Sequence, residues 1–436
     1  MFSRNFLNKS ILIYGLGLSG ESCLQYLYKT NNVKVFDDNY SLKNLKNKKY
    51  FLNKNKIIKN KFDYIVLSPG IDIYKCKLKT YLLKNRNKLI TELDIFYMTY
   101  PNNTKITITG TNGKSSVCVM LYNILKSIKL DVRLVGNIGM SPLNESKIKK
   151  GTIFIIEASS YQIYYNKYFK TDIGVILNLN IDHLERHRNI DKYAKAKIKL
   201  ISEQEKNKLS FIEKDNSIIN RHIFKKKIKS KIIRIIYNKN YFFKKKVKND
   251  YLLDKNNLNN IHFIYKISKI FKIPDYKIFK SLNYFKGLNF RKQIICKRSS
   301  LTVINDSKST SFSSTTGLLS TYKNIYWIVG GKFKKGDKFI LEKKYHKNIK
   351  AYIIGLNKKY FVHQFKNKIN FKYLKNLNNA ILEIRKDIKK DKQKKIILFS
   401  PAAASFDQYK NFEDRGKNFN SLIKKIIFYG KQKFLR

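Results

Sequence analysis

The run ITITGTNGKSS, residues 106–116, sets Lys114, Ser115 and Ser116 behind a glycine-rich turn. An apolar, β-branched stretch precedes the turn, and VCVMLYNILKSI, with apolar side chains at helical spacing, follows it. A loop leading into a helix points backbone N–H groups at one spot, where the peptide dipoles favour an anion. A lysine there reaches terminal phosphates, and a serine hydroxyl suits a magnesium ion between them. The spacing departs from the full P-loop, because Ile108 stands where the first glycine of G-x-x-x-x-G-K belongs. Farther on, Glu157 closes the run TIFIIE, and Asp182, His183 and His187 follow DIGVILNLN. Ser115, Glu157 and a residue of the 178–187 turn would supply the oxygen-rich shell that magnesium prefers. His183 is softer than magnesium usually takes, which leaves a hydrogen-bonding role open. Zinc is disfavoured, since the H-E-x-x-H order is absent.

The elements needed to position these groups can be read from the alternation of strands and helices. ILIYGLGLSG, residues 11–20, places Gly15, Gly17 and Gly20 in a G-x-G-x-x-G turn after a first strand. VKVFDD ends a second strand at Asp37 and Asp38, where a dinucleotide fold keeps its ribose-binding acid. YIVLSPG ends a third strand at Ser68, Pro69 and Gly70. Three such ends make a nucleotide-sized crevice without naming the nucleotide, so a nicotinamide enzyme is one reading of this region alone. After the phosphate loop come GNIG (136–139), EASSYQ and the helical DKYAKAKIKLI with Lys195 and Lys197. Residues 202–255 are rich in Lys and Asn, and surface hairpins or loops are expected there. YLLDKNNLNNIHFIYKISKIF and PDYKIFKSLNYF read as helices. Hairpin-like strands lead to NDSKST, a buried strand to the glycine turn before Lys334, and KIILFS to a loop and helix containing Ser405 and Phe412. The class is α/β with mostly parallel sheets.

Composition bounds the function classes. At 436 residues the chain is long for one core, and two or three domains are expected. The net charge of +61 would ordinarily suggest nucleic acid or a membrane surface. The lysines are spread along the chain among Asn, Ile, Tyr and Phe, as AT-rich codons would supply them, so no specific nucleic-acid partner is read from them. A nucleic-acid-binding protein stays as the distant alternative. The four cysteines form no C-x-x-C pair, which fits reduced, cytoplasmic chemistry. The N-terminal apolar run is broken by glycines at motif spacing and reads as strand and turn, not as a leader. No apolar run reaches membrane-spanning length.

GTNGKSS, GNIG, EASSYQ, NLNIDHLERH, YAKAK, NDSKST and SPAAASFDQYKNFEDRG, in that order and spacing, resemble the Mur ligase family. The last two resemble its D-glutamate-adding member. The resemblance implies three domains: a Rossmann-like UDP-binding domain (1–93), a central P-loop-type ATPase domain (94–288) and a Rossmann-like C-terminal amino-acid-binding domain (289–436). It implies an ATP-dependent amide ligase that adds D-glutamate to UDP-N-acetylmuramoyl-L-alanine through an acyl phosphate, in peptidoglycan precursor synthesis. A sister ligase or a folylpolyglutamate synthase adding another amino acid is the alternative. A monomer with two magnesium ions is expected.

Carried over by this resemblance, Gly110, Thr111, Asn112, Gly113, Lys114, Ser115 and Ser116 cradle ATP, and Ser115 and Glu157 hold magnesium. His183 matches a ligand of a second ion, together with a carbamylated lysine that falls on Lys197, with Lys195 as the competing assignment. Asn257, Asn260 and Arg291 match residues around ATP, and Asp306 an adenosine-side contact. Gly15, Leu16, Asp37 and Gly70 fall on the UDP side, and Asn137 and Ser159 on the sugar-peptide pocket. Lys308, Thr310, Lys334, Ser405 and Phe412 map onto the D-glutamate site, where two carboxylates need cations and hydroxyls. The usual Gly-x-His-Asn is here Asp254-Lys255-Asn256-Asn257, and Phe290 precedes Arg291 where the family has histidine.

Overall fold

A computed structural model describes residues 6–39, 48–237, 240–253, 255–334, 336–389 and 393–428. Asp254 lies outside them. The chain forms two compact units, the first comprising Met1–Asn180, Arg186–Asn240 and Asn260–Leu282, the second Ile181–Glu185, Tyr241–Asn259 and Asn283–Arg436. Three sheets carry the architecture, two in the first unit and one in the second.

The first sheet contains β1 (Ser10–Tyr14), β2 (Asn32–Phe36), β3 (Tyr64–Leu67) and β4 (Leu89–Ile90), all parallel, in the order β2-β1-β3-β4. Side chains alternate across a strand. Ile11 and Ile13 accordingly enter one apolar cluster, and Leu12 and Tyr14 the other. Because Tyr14 is level with both Phe36 and Leu67, the turns carrying Gly15, Asp37 and Ser68 leave the sheet at one edge.

The second sheet contains β5 (Lys105–Thr109), β6 (Val132–Gly136), β7 (Ile153–Glu157), β8 (Ile173–Ile176), β9 (Leu209–Glu213) and β10 (Lys231–Ile235). Its order is β10-β9-β8-β5-β7-β6, all parallel, so β5 lies between β7 and β8, where the strand order reverses. Ligands of open α/β sheets bind at such a reversal. The expectation of hairpins or loops over 202–255 is corrected here. β9 and β10 pair in parallel, with helix Ser217–Phe224 between them, and extend the sheet. β10, K-I-I-R-I, is the edge strand with half-exposed side chains, and the lysine run of residues 225–229 lies in the connection before it.

In the second unit, β11 (Gln293–Lys297), β12 (Leu301–Asn305), β13 (Ile325–Gly330), β14 (Ile349–Ile354), β15 (Asn370–Lys375) and β16 (Lys395–Phe399) follow the order β11-β12-β16-β13-β14-β15. Only the β11–β12 pairing among these is antiparallel. Trp327 and Val329 pack on one face, Tyr326 and Ile328 on the other. With both faces covered, a continuous apolar run such as IYWIV is stable as a strand.

Candidate active site

The loop after β5 is held by hydrogen bonds to its neighbours. Thr111 N–H donates to the Asn178 carbonyl at 3.0 Å, Asn112 N–H to Asn178 Oδ1 at 2.9 Å, and Asn178 Nδ2 returns a bond to the Asn112 carbonyl at 3.1 Å. The Asn180 N–H donates to Thr111 Oγ1 at 3.0 Å, and the Tyr193 hydroxyl lies 3.1 Å from that oxygen. Gly113 begins helix Lys114–Ser127 at φ +86°, and a Cβ there would stand 2.7 Å from the Asn260 amide. Both conditions require glycine. Lys114 Nζ bonds the carbonyls of Gly110 and Thr111 at 2.8 and 2.9 Å. Ser116 is buried in the first turn of the same helix.

Ile108 is level with Glu157 across β5 and β7, which brings that carboxylate to the loop. Ser115 Oγ donates to Glu157 Oε2 at 2.5 Å, and Asn137 Nδ2 to Oε1 at 2.9 Å. Ser159 caps helix Ser160–Tyr165 and exchanges hydrogen bonds with Gln162. Lys197, 1% exposed, bonds the Gly110 carbonyl at 2.9 Å and Thr109 Oγ1 at 3.2 Å, whereas Lys195 is exposed on the same helix. His187 is buried, its Nε2 3.0 Å from Ser160 Oγ. At the first sheet, Leu16 N–H donates to Asp37 Oδ2 at 2.7 Å, and Ser68 Oγ to the Gly15 carbonyl at 2.6 Å. Gly70 lies exposed in the turn after β3.

The second unit gathers a separate set. His183, at φ +54°, stands between Asp182 Oδ2 (3.4 Å) and Glu185 Oε1 (3.3 Å). Its hydrogen bond holds the Glu185 carboxyl below the usual range. Lys334 pairs with Asp182 at 2.5 Å, and Asp337 shares their cleft. Burial pushes the Asp337 carboxyl up to about 6. Asn257 Nδ2 donates to the Tyr251 carbonyl at 2.8 Å, and the Tyr251 hydroxyl to the Arg291 carbonyl at 3.0 Å. Residues 290 and 292 both have positive φ, so Arg291 sits in a sharply bent segment. Asp306 accepts from Lys292 N–H at 3.0 Å and Ser400 Oγ at 2.8 Å, and burial raises its carboxyl to about 6. Lys308 Nζ lies 3.7 Å from the centre of the Phe412 ring. Ser405 is buried, and Thr310 half-buried.

This geometry has counterparts in known proteins. Residues 9–87 match the family model of the Mur ligase MurD-like N-terminal domain, and residues 108–275 that of the Mur ligase middle domain. The UDP-N-acetylmuramoylalanine--D-glutamate ligase of Rickettsia bellii (strain RML369-C) is 32% identical, over 94% of this chain and 96% of its own. The chain belongs to the Mur ligase family. The ligase of the same name from Francisella philomiragia is 30% identical, over 98% of this chain and 100% of its own. Among solved structures, UDP-N-acetylmuramate-alanine ligase from Thermotoga maritima superposes at TM-score 0.58 with 14% identity, covering 96% of this chain and 100% of that one. The MurF ligase of the same organism, in complex with ADP, also gives 0.58, at 15% identity and 97% of each chain. These two support the fold.

Sequence reasoning overlooked several residues that hold this Mur ligase's loops in place. Asn178 clamps the loop after β5 and Tyr193 reaches Thr111, while the pairing of Asp182, itself noted after DIGVILNLN, with Lys334 was not foreseen. The signal for Asn178 was present in N-L-N directly after a buried strand, where a short amide can bond backbone. Arg415, 1% exposed and bonded to Ser307 and Ala403, stood in the FEDRG run without a role. Among the described residues no three His, Cys, Asp or Glu side chains group as a metal cluster, and no helix is long and apolar enough to cross a membrane.

Proposed function

We propose that this Mur ligase uses ATP to join D-glutamate to UDP-N-acetylmuramoyl-L-alanine in the synthesis of peptidoglycan precursors. Similarity at 30–32% identity over nearly the whole chain to ligases named for this reaction carries the reading. The three domains divide near residues 93 and 288, and the enzyme works as a cytoplasmic monomer. Four free cysteines, buried or half-buried, suit that reducing compartment.

An alanyl carboxylate oxygen attacks the γ-phosphorus of ATP, and ADP leaves. The uncharged amine of D-glutamate then attacks the carbonyl carbon of the acyl phosphate. The tetrahedral adduct loses phosphate and a proton, leaving the amide. No protein nucleophile is required, so positioning and charge stabilisation supply most of the acceleration.

The chain's residues have the character this needs. The amides from Gly110 to Ser116 open a helix at a glycine turn that excludes side chains, which suits phosphate oxygens. Lys114 shifts from loop carbonyls to phosphate, and Arg291 adds a second cation. The hydroxyl of Ser115 and the carboxylate of Glu157, already side by side, fit a magnesium ion, as hard oxygen donors do. Held there, magnesium would supply charge to offset that developing on the phosphate oxygens. A second ion is assigned to His183 and Lys197. For Lys197 to serve, its neutral amine adds CO2 and releases a proton, giving a carbamate oxygen. Gly15, Leu16, Asp37 and Gly70 take the UDP group, Asn137 and Ser159 the sugar-peptide part, and Asn257, Asn260 and Asp306 the adenosine side. Lys308, Thr310, Lys334, Ser405 and Phe412 receive D-glutamate. On this reading Lys334 exchanges its pairing with Asp182 for a substrate carboxylate.

Phosphate release with UDP-N-acetylmuramoyl-L-alanine, ATP and Mg2+ is expected with D-glutamate, and not with L-alanine, L-lysine or L-glutamate. Silence with D-glutamate, or release driven by another amino acid, refutes the assignment.

A further inference from the structure

We propose that Arg186 is a positioning residue for the uridine-nucleotide turn, acting through three successive backbone carbonyls. Its guanidinium donates to the carbonyls of Pro69 (3.4 Å), Gly70 (3.0 Å) and Ile71. These follow β3 and form a wall of the first glycine turn. Ser68 Cβ lies 2.8 Å, and Ile71 Cγ1 3.1 Å, from where a Cβ on Gly15 would stand. A displacement of 69–71 is therefore felt directly at Gly15 and Leu16.

Arg186 itself is held from behind. Its guanidinium carbon lies 5.1 Å from the centre of the Tyr161 ring and 5.6 Å from that of Tyr165, both on helix Ser160–Tyr165. Its neighbour His187 is buried, bonded to Ser160 and packed on Tyr161 and Tyr193. One planar fork thus joins the helix that follows Glu157 to the turn that follows β3. The effect on the turn follows from peptide planarity, since C=O and the next N–H point in opposite directions across a trans peptide. Drawing the Pro69 and Gly70 carbonyls onto one cation turns the Gly70 and Ile71 amides away from it. The Ile71 amide is used by the Ser68 carbonyl at 3.0 Å, which fixes the turn. A lysine could satisfy the charge, but not three carbonyls in one plane.

This inference rests on the reading that the first glycine turn takes UDP, so UDP alone is the first probe. Titration calorimetry on the full chain compares wild type with Arg186→Lys and Arg186→Gln. The Kd for UDP is expected to weaken about tenfold in Arg186→Gln and by less in Arg186→Lys, as loss of charged hydrogen bonds implies. In steady state, KM for the UDP substrate rises by the same factor, while KM for ATP and kcat stay within about threefold. If Arg186→Gln lowers the melting temperature and leaves UDP Kd and KM unchanged, the residue is only structural and the proposal falls. If KM for ATP and UDP rise equally, the effect is not local to the turn, and it falls again. Wild type that binds no UDP while still releasing phosphate overturns the nucleotide assignment and this inference, but not the ligase activity.

Discussion

Lys195 and Lys197 stand two positions apart on one helix, which places them on opposite faces. Tyr193, Lys197, Leu200 and Ile201 are buried, and Lys195 is exposed. Lys197→Ala is expected to lower kcat at least about 100-fold, the scale of losing a charge-stabilising group, whereas Lys195→Ala stays within about twofold. Equal losses in the phosphate-release assay would remove Lys197 from the site. Asp306 offers a test by pH. Burial holds its folded-state carboxyl at about 6, above the ordinary 3.8. The folded protein therefore keeps this proton where the unfolded chain has lost it, and this contribution to stability is full below the ordinary value. It is lost as pH rises through about 6. Asp306→Asn has no such loss, so between pH 4 and 7 the variant should gain about 2–3 kcal/mol on the wild type, measured by urea unfolding. A constant difference across that range would show that Asp306 does not titrate this way.

Single residues also decide how elements meet. Asp94 is fully buried in the first turn of helix Glu92–Thr99 and accepts from Thr91 and from three successive amides, those of Lys167, Tyr168 and Phe169. An asparagine presents an NH2 to some of these donors, so Asp94→Asn is expected to cost about 2–3 kcal/mol in urea denaturation. Catalysis at low temperature should survive, because the change lies in the packing of two elements. Gly113→Ala acts at the junction of β5 and its helix, where a positive φ and the Asn260 side chain both oppose a Cβ. About 1–3 kcal/mol of strain follows, and ATP affinity should fall at least about tenfold in a nucleotide-binding titration. The phosphate loop and its flanking strand and helix were legible from the β-branched run, the glycines and the helical apolar spacing. β9 and β10 were not, because the short runs L-S-F-I-E and K-I-I-R-I lack a strict apolar alternation and stand among Lys- and Asn-rich connections.

At the scale of the whole molecule, +61 is the dominant fact. Such a field concentrates anionic substrates and is screened by salt. The kcat/KM for ATP and the UDP substrate should therefore fall several-fold between about 20 and 200 mM KCl, with kcat nearly constant. A fall in kcat alone would argue that salt acts on the chemistry instead. Nucleic acid should bind only weakly at physiological salt, because a dispersed charge lacks a tracked groove. Tight, sequence-dependent binding there would revive the distant alternative.

The order and spacing of the motifs, by themselves, determined the α/β class, the strand, glycine turn and helix around residues 106–128, and the family. These rest on local chemistry: glycines where a loop must approach phosphate, and β-branched runs where a strand is buried on both faces. The tertiary structure decided which lysine faces the loop, that Asn178 clamps it and that Arg186 grips the turn after β3. Those partners stand 66 to 117 positions apart, too far for local patterning to specify, and in a chain so rich in lysine the side chain alone carries no address.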